Sequence, residues 1–450
     1  MFQKIIENLY FGLYKILKNS NTKRYYQYLK YSQWDSLEKN KERQKEKLYN
    51  LLRYALSEIP YYQQLRQEKN IKISRNTVFS DIKTFPILTK EIIRERKDDL
   101  YNKNSKKFFE NTSGGSTGEP VIFFQDKKMR DWGRAAKIIF DEWASRKIGE
   151  RKISLWGSEK DIFFHRKNFK NIFIGLFLKE KLLNSFKMGP NEMTEYIRII
   201  NSFKPNLVLS YVSSMEELIK FITNNNFKIT PPRAVMTSAG VLSDDIRNDI
   251  HKVFNCPVFN RYGSRETSAI SCDCEKHDGL HVIPDILYFE IVDEDGKEVK
   301  PGENGYILIT LLTNFTMPLI RYKIGDRATS SIENCPCRRG WPIIKNIVGR
   351  TVNVFTTSEG EKIDGEYFTR LFYFIDGVKR FQIIQKDYNL IEINIVSEKE
   401  ALTPEILKDI TDKIKLVMGK FCSINFNFLD KIEPSPSGKY LYTISEIHED

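Results

Sequence analysis

No apolar run in this chain reaches the roughly 18 to 20 residues that cross a bilayer. The opening segment, MFQKIIENLYFGLYKILKN, lacks the uninterrupted apolar centre and small-residue cleavage site of a signal peptide, so the expected location is the cytoplasm. Cysteine is sparse: Cys256, Cys272, Cys274, Cys335, Cys337 and Cys422 are the six. In a reducing compartment they do not make a disulfide framework. No internal repeat or low-complexity segment is visible. The net charge of +12 comes with no RNA-recognition, zinc-finger or helix-turn-helix signature, so no nucleic-acid partner is expected. A lysine-, asparagine- and isoleucine-rich proteome produces the same balance.

What is present is a globular composition, 41% hydrophobic and 29% charged, over 450 residues. That length predicts two or three domains. In the first helix, Phe2, Ile5, Ile6, Leu9, Leu13, Ile16 and Leu17 recur at helical spacing among Lys4, Lys15 and Lys18. Such a helix either lies on an anionic membrane surface, as a peripheral contact, or packs on the main body.

Residues 1–105 read as a helical part of the large domain, with Thr89 as cap of a helix starting at Lys90. Over 106–350 short apolar runs (KISLWG, PNLVLSY, RAVMTSA, PVFNRYG) alternate with helical stretches. This predicts an α/β core with parallel pairing and a β-rich end from about residue 285. Ser213 with Glu216 reads as a capping box, and Ser243 as a second helix cap. Residues 351–450 read as a small α+β domain with strands RFQIIQ, LIEINIV and SINFNFL around one helix, hinged near Arg350.

Residues 111–120 read NTSGGSTGEP, between two apolar runs. No Gly-Lys-Ser/Thr closes the loop, so it is not a P-loop. Its glycines let successive backbone N–H groups approach an anion, and the hydroxyls of Thr112, Ser113, Ser116 and Thr117 donate to phosphate oxygens. RYGSRET follows the strand-like PVFN and carries Glu266, a hard oxygen ligand suited to Mg²⁺. PLIRYKIGDRA places Asp326 after a glycine, where a carboxylate accepts both ribose hydroxyls of a nucleotide. SPSGKYLYTIS carries Lys439 in a late loop.

The order TSGGSTGEP, YGSRE, RYKIGD, GR and PSGK resembles the adenylate-forming, acyl-CoA synthetase-like superfamily, in the manner of the phenylacetate–CoA ligase family and its CapK-like branch, over about residues 40–450. The resemblance implies a large multi-layer adenylation domain and a small mobile C-terminal α+β domain. It implies an ATP-dependent ligase that makes an acyl-adenylate and pyrophosphate, then passes the acyl group to an acceptor, often coenzyme A. Thr112, Ser113, Gly114, Gly115, Ser116, Thr117 and Gly118 would hold the β- and γ-phosphates. Ser238, Ala239 and Gly240 would line the adenine, with Tyr262 also at the ATP site. Asp326 would bind the ribose with Arg350 nearby, Glu266 would hold Mg²⁺, and Lys439 would bridge the attacking carboxylate and the α-phosphate. Rotation of the small domain would bring Lys439 in for adenylation and take it away for transfer.

Three departures stand out. Val121 replaces the commoner lysine after the loop proline, TVNVF follows Arg350 in place of the usual aspartate pair, and no aromatic-acid pocket is recognisable in HRKNFKNIFIGLFLKEKLLNSF. The altered hinge leaves room for an amide- or ester-forming ligase acting on a sugar or carrier protein. A catalytically silent scaffold of glycan assembly is the alternative against which the presence of Glu266, Asp326 and Lys439 argues.

Cys274 with His277 makes C-x-x-H, and Cys335 with Cys337 makes C-x-C. Two such pairs suit a closed tetrahedral Zn²⁺ site, with Cys272 and His281 as alternative ligands and ordinary reduced thiols as the other reading. The resemblance supports the cluster, since the phenylacetate-ligase-like branch carries similar ones.

Overall fold

The computed structural model describes residues 2–105, 107–112, 121–156, 179–185, 188–331, 334–349, 354–372, 375, 377–398, 402–432 and 442–447. The chain divides into two compact units, one of residues 1–111 and 123–349, the other of residues 112–122 and 350–450.

The large unit opens with helices α1 (Phe2–Lys18), α2 (Thr22–Ser32), α3 (Leu37–Glu58), α4 (Pro60–Lys69), α5 (Val78–Asp81) and α6 (Lys90–Glu95). α1 packs on the main body: Tyr10 and Phe11 are buried, and Gln3 Nε2 donates to the Ile148 carbonyl at 3.1 Å. Ile5, Leu9 and Ile16 stay on its outer side, 51, 53 and 80% exposed. Among the described residues no helix is long and apolar enough to cross a membrane. Thr89 caps α6 as expected, its hydroxyl accepting from the Ile92 N–H.

β1 (Phe109–Thr112) and β2 (Ile122–Gln125) pair as a two-stranded ribbon flanking residues 113–120. Asp126 then caps α7 (Lys127–Trp143), accepting from Met129 N at 2.7 Å.

The main sheet is built from β3 (Lys152–Leu155), β4 (Glu180–Leu183), β5 (Leu207–Tyr211), β6 (Ala234–Ser238), β7 (Val258–Ser264), β8 (Ser268–Asp273) and β9 (Leu280–Val282). Strands β4, β3, β5, β6 and β7 lie side by side in that order, all parallel, and β8 and β9 continue antiparallel. The central strands LVLSY and AVMTS are buried along nearly their whole length, as parallel strands covered on both faces must be. One face meets helices Pro190–Phe203, Val212–Asn224 and Asp244–Phe254, burying Ile153, Leu155, Val208, Val235 and Val258 with Ile200, Leu218 and Phe254. Side chains alternate along a strand, so Lys152 points to the other face, where it meets Asp141 of α7 at 2.7 Å.

Ser243 caps its helix as expected, accepting from Ile246 N. Ser213 does not: β5 runs directly into the helix at Val212, so Ser213 lies inside the first turn and no side chain caps it.

A second sheet of β10 (Leu287–Val292), β11 (Asn304–Leu311), β12 (Tyr322–Thr329) and, after the short β13 (Ile343–Ile344), β14 (Asn346–Gly349) is antiparallel throughout. β13 pairs with β9 on the main sheet.

The small unit is α+β, as expected. It holds a hairpin of β15 (Val354–Thr356) and β16 (Lys362–Asp364) and a sheet of β17 (Val378–Asp387), β18 (Leu390–Ser397), β19 (Ser423–Phe428) and β20 (Thr443–Ser445) in the order β19-β18-β17-β20. Helix Pro404–Met418 lays Ile410, Ile414 and Met418 against Phe355, Phe368, Ile383 and Ile393.

Candidate functional site

The residues singled out around RYGSRE and RYKIGD come together in the large unit. Tyr262 on β7 donates its hydroxyl to Asp326 Oδ2 on β12 at 2.6 Å, joining the two sheets. Glu266 follows β7 and is 4% exposed, with the Tyr322 hydroxyl donating to its Oε1 at 3.3 Å. Its turn is held by Gln125 Nε2, which donates to the Arg265 and Glu266 carbonyls at 2.8 and 3.2 Å. The turn is also tight: a Cβ on Gly263 would run into the Ser268 carbonyl oxygen. At the end of β6, Ser238 is buried, while Ala239 turns into the left-handed region at φ 57° and leaves itself and Gly240 exposed. Backbone groups are thus offered at the carboxyl ends of β6 and β7, the edge at which open α/β sheets bind ligands. Glu266 brings a carboxylate, a hard oxygen donor, to this edge. Of the other residues named from the sequence, Thr112 ends β1, and Ser113, Gly114, Gly115, Ser116, Thr117, Gly118, Arg350 and Lys439 lie outside the described residues.

Sequence reasoning missed Arg321. It sits in the left-handed region at φ 50° and is 5% exposed. Its guanidinium pairs with Glu290 at 3.2 Å and donates to the carbonyls of Phe85 and Gly296 at 3.1 and 3.0 Å. The pair locks β10 to the strand carrying Asp326. Arg321→Met leaves the Glu290 carboxylate buried without its cation, and is expected to cost about 3–5 kcal/mol in chemical denaturation. An unchanged denaturation midpoint would show that the pair does not hold this sheet.

The metal-type cluster forms, with one ligand changed. Cys274, His281, Cys335 and Cys337 are all buried and place their ligand atoms within 4.8 Å of one another. Cys274 Sγ lies 3.5 Å from Cys335 Sγ, and Cys337 Sγ lies 3.3 Å from His281 Nε2. His281 Nδ1 faces the Trp341 carbonyl at 3.1 Å, which fixes the proton on Nδ1 and leaves Nε2 as donor to a metal. Backbone N–H groups of Lys276 and Arg339 point at Cys274 and Cys337 sulfurs, each at 3.4 Å, as thiolates require. Burial alone would push the Cys337 thiol up; contact with the His281 ring and hydrogen bonds from Arg339 outweigh it and pull it down to about 6.

His277, expected as the fourth ligand, is elsewhere. It occupies a turn at φ 52°, and its Nδ1 faces Asp273 Oδ2 at 2.9 Å and the Arg247 guanidinium at 3.1 Å. The C-x-x-H spacing puts it on the turn between β8 and β9, whereas the antiparallel return of β9 carries His281 back to Cys274. Cys272 is buried inside β8, outside the four-residue cluster. Three cysteines and a histidine, buried and close, are the donor set of a structural zinc.

The fold and the ordered motifs are those of an adenylate-forming enzyme. Among known proteins the chain is similar to CapK and to phenylacetate–CoA ligases. Residues 355–446 match the CapK C-terminal domain family. The chain is 25% identical to protein CapK of Staphylococcus aureus over 96% of its own length and 94% of that protein's. It is also 25% identical to phenylacetate-coenzyme A ligase of Thermus thermophilus, over 71% of this chain and 74% of that one. The fold matches the crystal structure of 2-hydroxyisobutyryl-CoA ligase, in complex with 2-HIB-AMP and CoA in the thioesterification state. The TM-score is 0.60 and the identity 18%, covering 92% of this chain and 91% of that one.

Proposed function

We propose that this protein activates a carboxylic acid with ATP to an acyl-adenylate, releasing pyrophosphate, and passes the acyl group to an acceptor such as coenzyme A, as a step in building a capsule or related surface glycan. The observation that carries the reading is the Tyr262–Asp326 pair beside buried Glu266, joined across two sheets at the carboxyl edge of the parallel strands. In this reading Asp326 accepts from the ribose, and residues 238–240 line the adenine. The loop at 112–118 cradles the β- and γ-phosphates, and Glu266 holds Mg²⁺. The metal ion supplies charge neutralisation on the phosphates. No strong base is needed, because a carboxylate attacking a polyanion needs alignment and cancelled charge. Cys274, His281, Cys335 and Cys337 hold a structural zinc that pins the segment after Glu266. The need for ATP and coenzyme A places the reaction in the cytoplasm.

ATP–pyrophosphate exchange across a panel of carboxylic acids tests this directly. Exchange dependent on one acid is expected, and Asp326→Ala should raise the KM for ATP by about tenfold or more through lost ribose contacts. An unchanged KM would remove Asp326 from the nucleotide site. Silence across the panel with ATP binding intact would favour the scaffold reading.

TVNVF after Arg350, where an aspartate pair is usual, favours a second acceptor class: an amino sugar or carrier protein. Supplying acyl-adenylate with each acceptor in turn separates these, and turnover with coenzyme A alone would dismiss the alternative.

A further inference from the structure

The face of the main sheet that α7 covers carries charge that the reactions assigned above do not use. Gly133, Lys137 and Asp141 follow one another at one-turn spacing along α7 and so share a face. Gly133 lets the helix come close: any side chain there would strike the Ser268 hydroxyl. Asp141 is saturated. Lys152 Nζ reaches its two oxygens at 2.8 and 2.7 Å, and Arg146 donates to it at 2.8 Å. Burial opposes the Asp141 charge, but Lys152 and Arg146 outweigh burial and hold its carboxyl below the usual range. Arg146 also takes Glu180, at 2.7 Å.

Arg261 on β7 is different. Alternation along the strand turns it to the α7 face, away from Tyr262. It is only 7% exposed, and among the described residues its guanidinium makes no hydrogen bond or ion pair; the carboxylate whose charge reaches it, Asp141, is already held by Lys152 and Arg146. What it meets is the ring of Trp156, 5.5 Å from centroid to guanidinium carbon, and that ring packs on Tyr211 at 4.2 Å. Trp156 and Tyr211 stand at the carboxyl ends of β3 and β5. At these neighbouring strands the strand order reverses, β4 lying on one side of β3 and β5 on the other, and ligands of open α/β sheets sit at such points.

Lys137 joins the same space. It projects from α7 and is exposed to solvent. Desolvation, then repulsion from Arg261, Arg134 and Lys152, pulls its ammonium down to about 7. Among the described residues the carboxylate whose charge reaches both Arg261 and Lys137 is Asp141, and its oxygens are already held by Lys152 and Arg146. A buried guanidinium with no hydrogen-bonding partner of its own is costly unless something brings one.

We propose that this space is the acyl pocket and that Arg261 and Lys137 select a carboxylic acid carrying a second anionic group. The inference rests on the adenylation reading only in calling the occupant an acyl substrate. The first carboxylate goes to the nucleotide. The second anion sits against the Arg261 guanidinium above the Trp156–Tyr211 platform, and Lys137 faces it from α7. Arg261 is a specificity-determining residue here and takes no part in bond making.

The test uses chain-matched acids, succinate against butyrate, glutarate against pentanoate and isophthalate against benzoate. Each is titrated calorimetrically into the full protein with Mg²⁺ and α,β-methylene-ATP, and each is assayed separately for pyrophosphate exchange. At least one diacid should bind about tenfold or more tighter than its monoacid partner. Arg261→Met and Lys137→Met should each erode that ratio, and Arg261→Lys should restore part of it. Arg261→Met should still fold, since among the described residues no hydrogen bond or ion pair is lost with the guanidinium. Equal or weaker binding of every diacid, or a preference that survives Arg261→Met, overturns the inference. Diacid preference without exchange upholds the pocket and counts against adenylation. Exchange with monoacids in preference to diacids does the reverse.

Discussion

Lys439→Ala should lower ATP–pyrophosphate exchange by about 10²–10³-fold, the scale on which one well-placed charge or donor acts on a developing transition state. Thioester or amide formation from supplied acyl-adenylate should be unaffected by the same change. The physical ground is the charge count at the point of attack. A carboxylate approaching the α-phosphate of ATP meets like charge, and a lysine bridging the two lowers the barrier only while both anions are being drawn together. Once the adenylate exists the repulsion is gone, and the second half-reaction has no use for that ammonium. Lys439→Arg keeps the charge but loses the compact point donor, so partial activity is expected. Exchange at the wild-type rate in Lys439→Ala would take Lys439 out of the mechanism, while equal loss in both half-reactions would mark it as structural.

The purified protein should contain about one zinc per chain, and Cys335→Ser or His281→Ala should each lose it, whereas His277→Ala should keep it. The contrast between the two histidines is the informative part. His281 Nε2 stands beside Cys337 with its Nδ1 committed to the Trp341 carbonyl, while His277 is committed to Asp273. Loss of the metal leaves three thiols and an imidazole packed together without their common partner, and the two segments it joins lie 61 residues apart in sequence. A fall in Tm on the order of 5–10 °C is expected, with a matching loss on chelation. Metal retained in His281→Ala and lost in His277→Ala would reverse the assignment.

Both sites show what a local reading of the sequence captures. Thr89 and Ser243 cap their helices as expected because an N-cap is decided within one turn, by a hydroxyl and an amide three residues on. Ser213 carried the same signature and failed, because the preceding strand runs straight into its helix and sheet pairing at Tyr211 set the boundary. The alternation of buried runs such as LVLSY and AVMTS with amphipathic helices was legible for a related reason: strands covered on both faces have no polar side to show.

The sequence by itself determined the α/β core, the small α+β unit, the helix caps at Thr89 and Ser243, and the ordered motifs that carry Tyr262, Glu266 and Asp326. Each is written in residues near one another or in an order that survives folding. Only the tertiary structure decided which histidine completes the cysteine cluster, that Arg321 is pinned to Glu290, and that Arg261 stands buried beside Trp156, with no ion pair among the described residues. Those outcomes depend on strand register and on the face to which a side chain alternates. A change of one residue in register moves a side chain to the other side of the sheet, and nothing within a turn of Arg261 or His281 records which side that is.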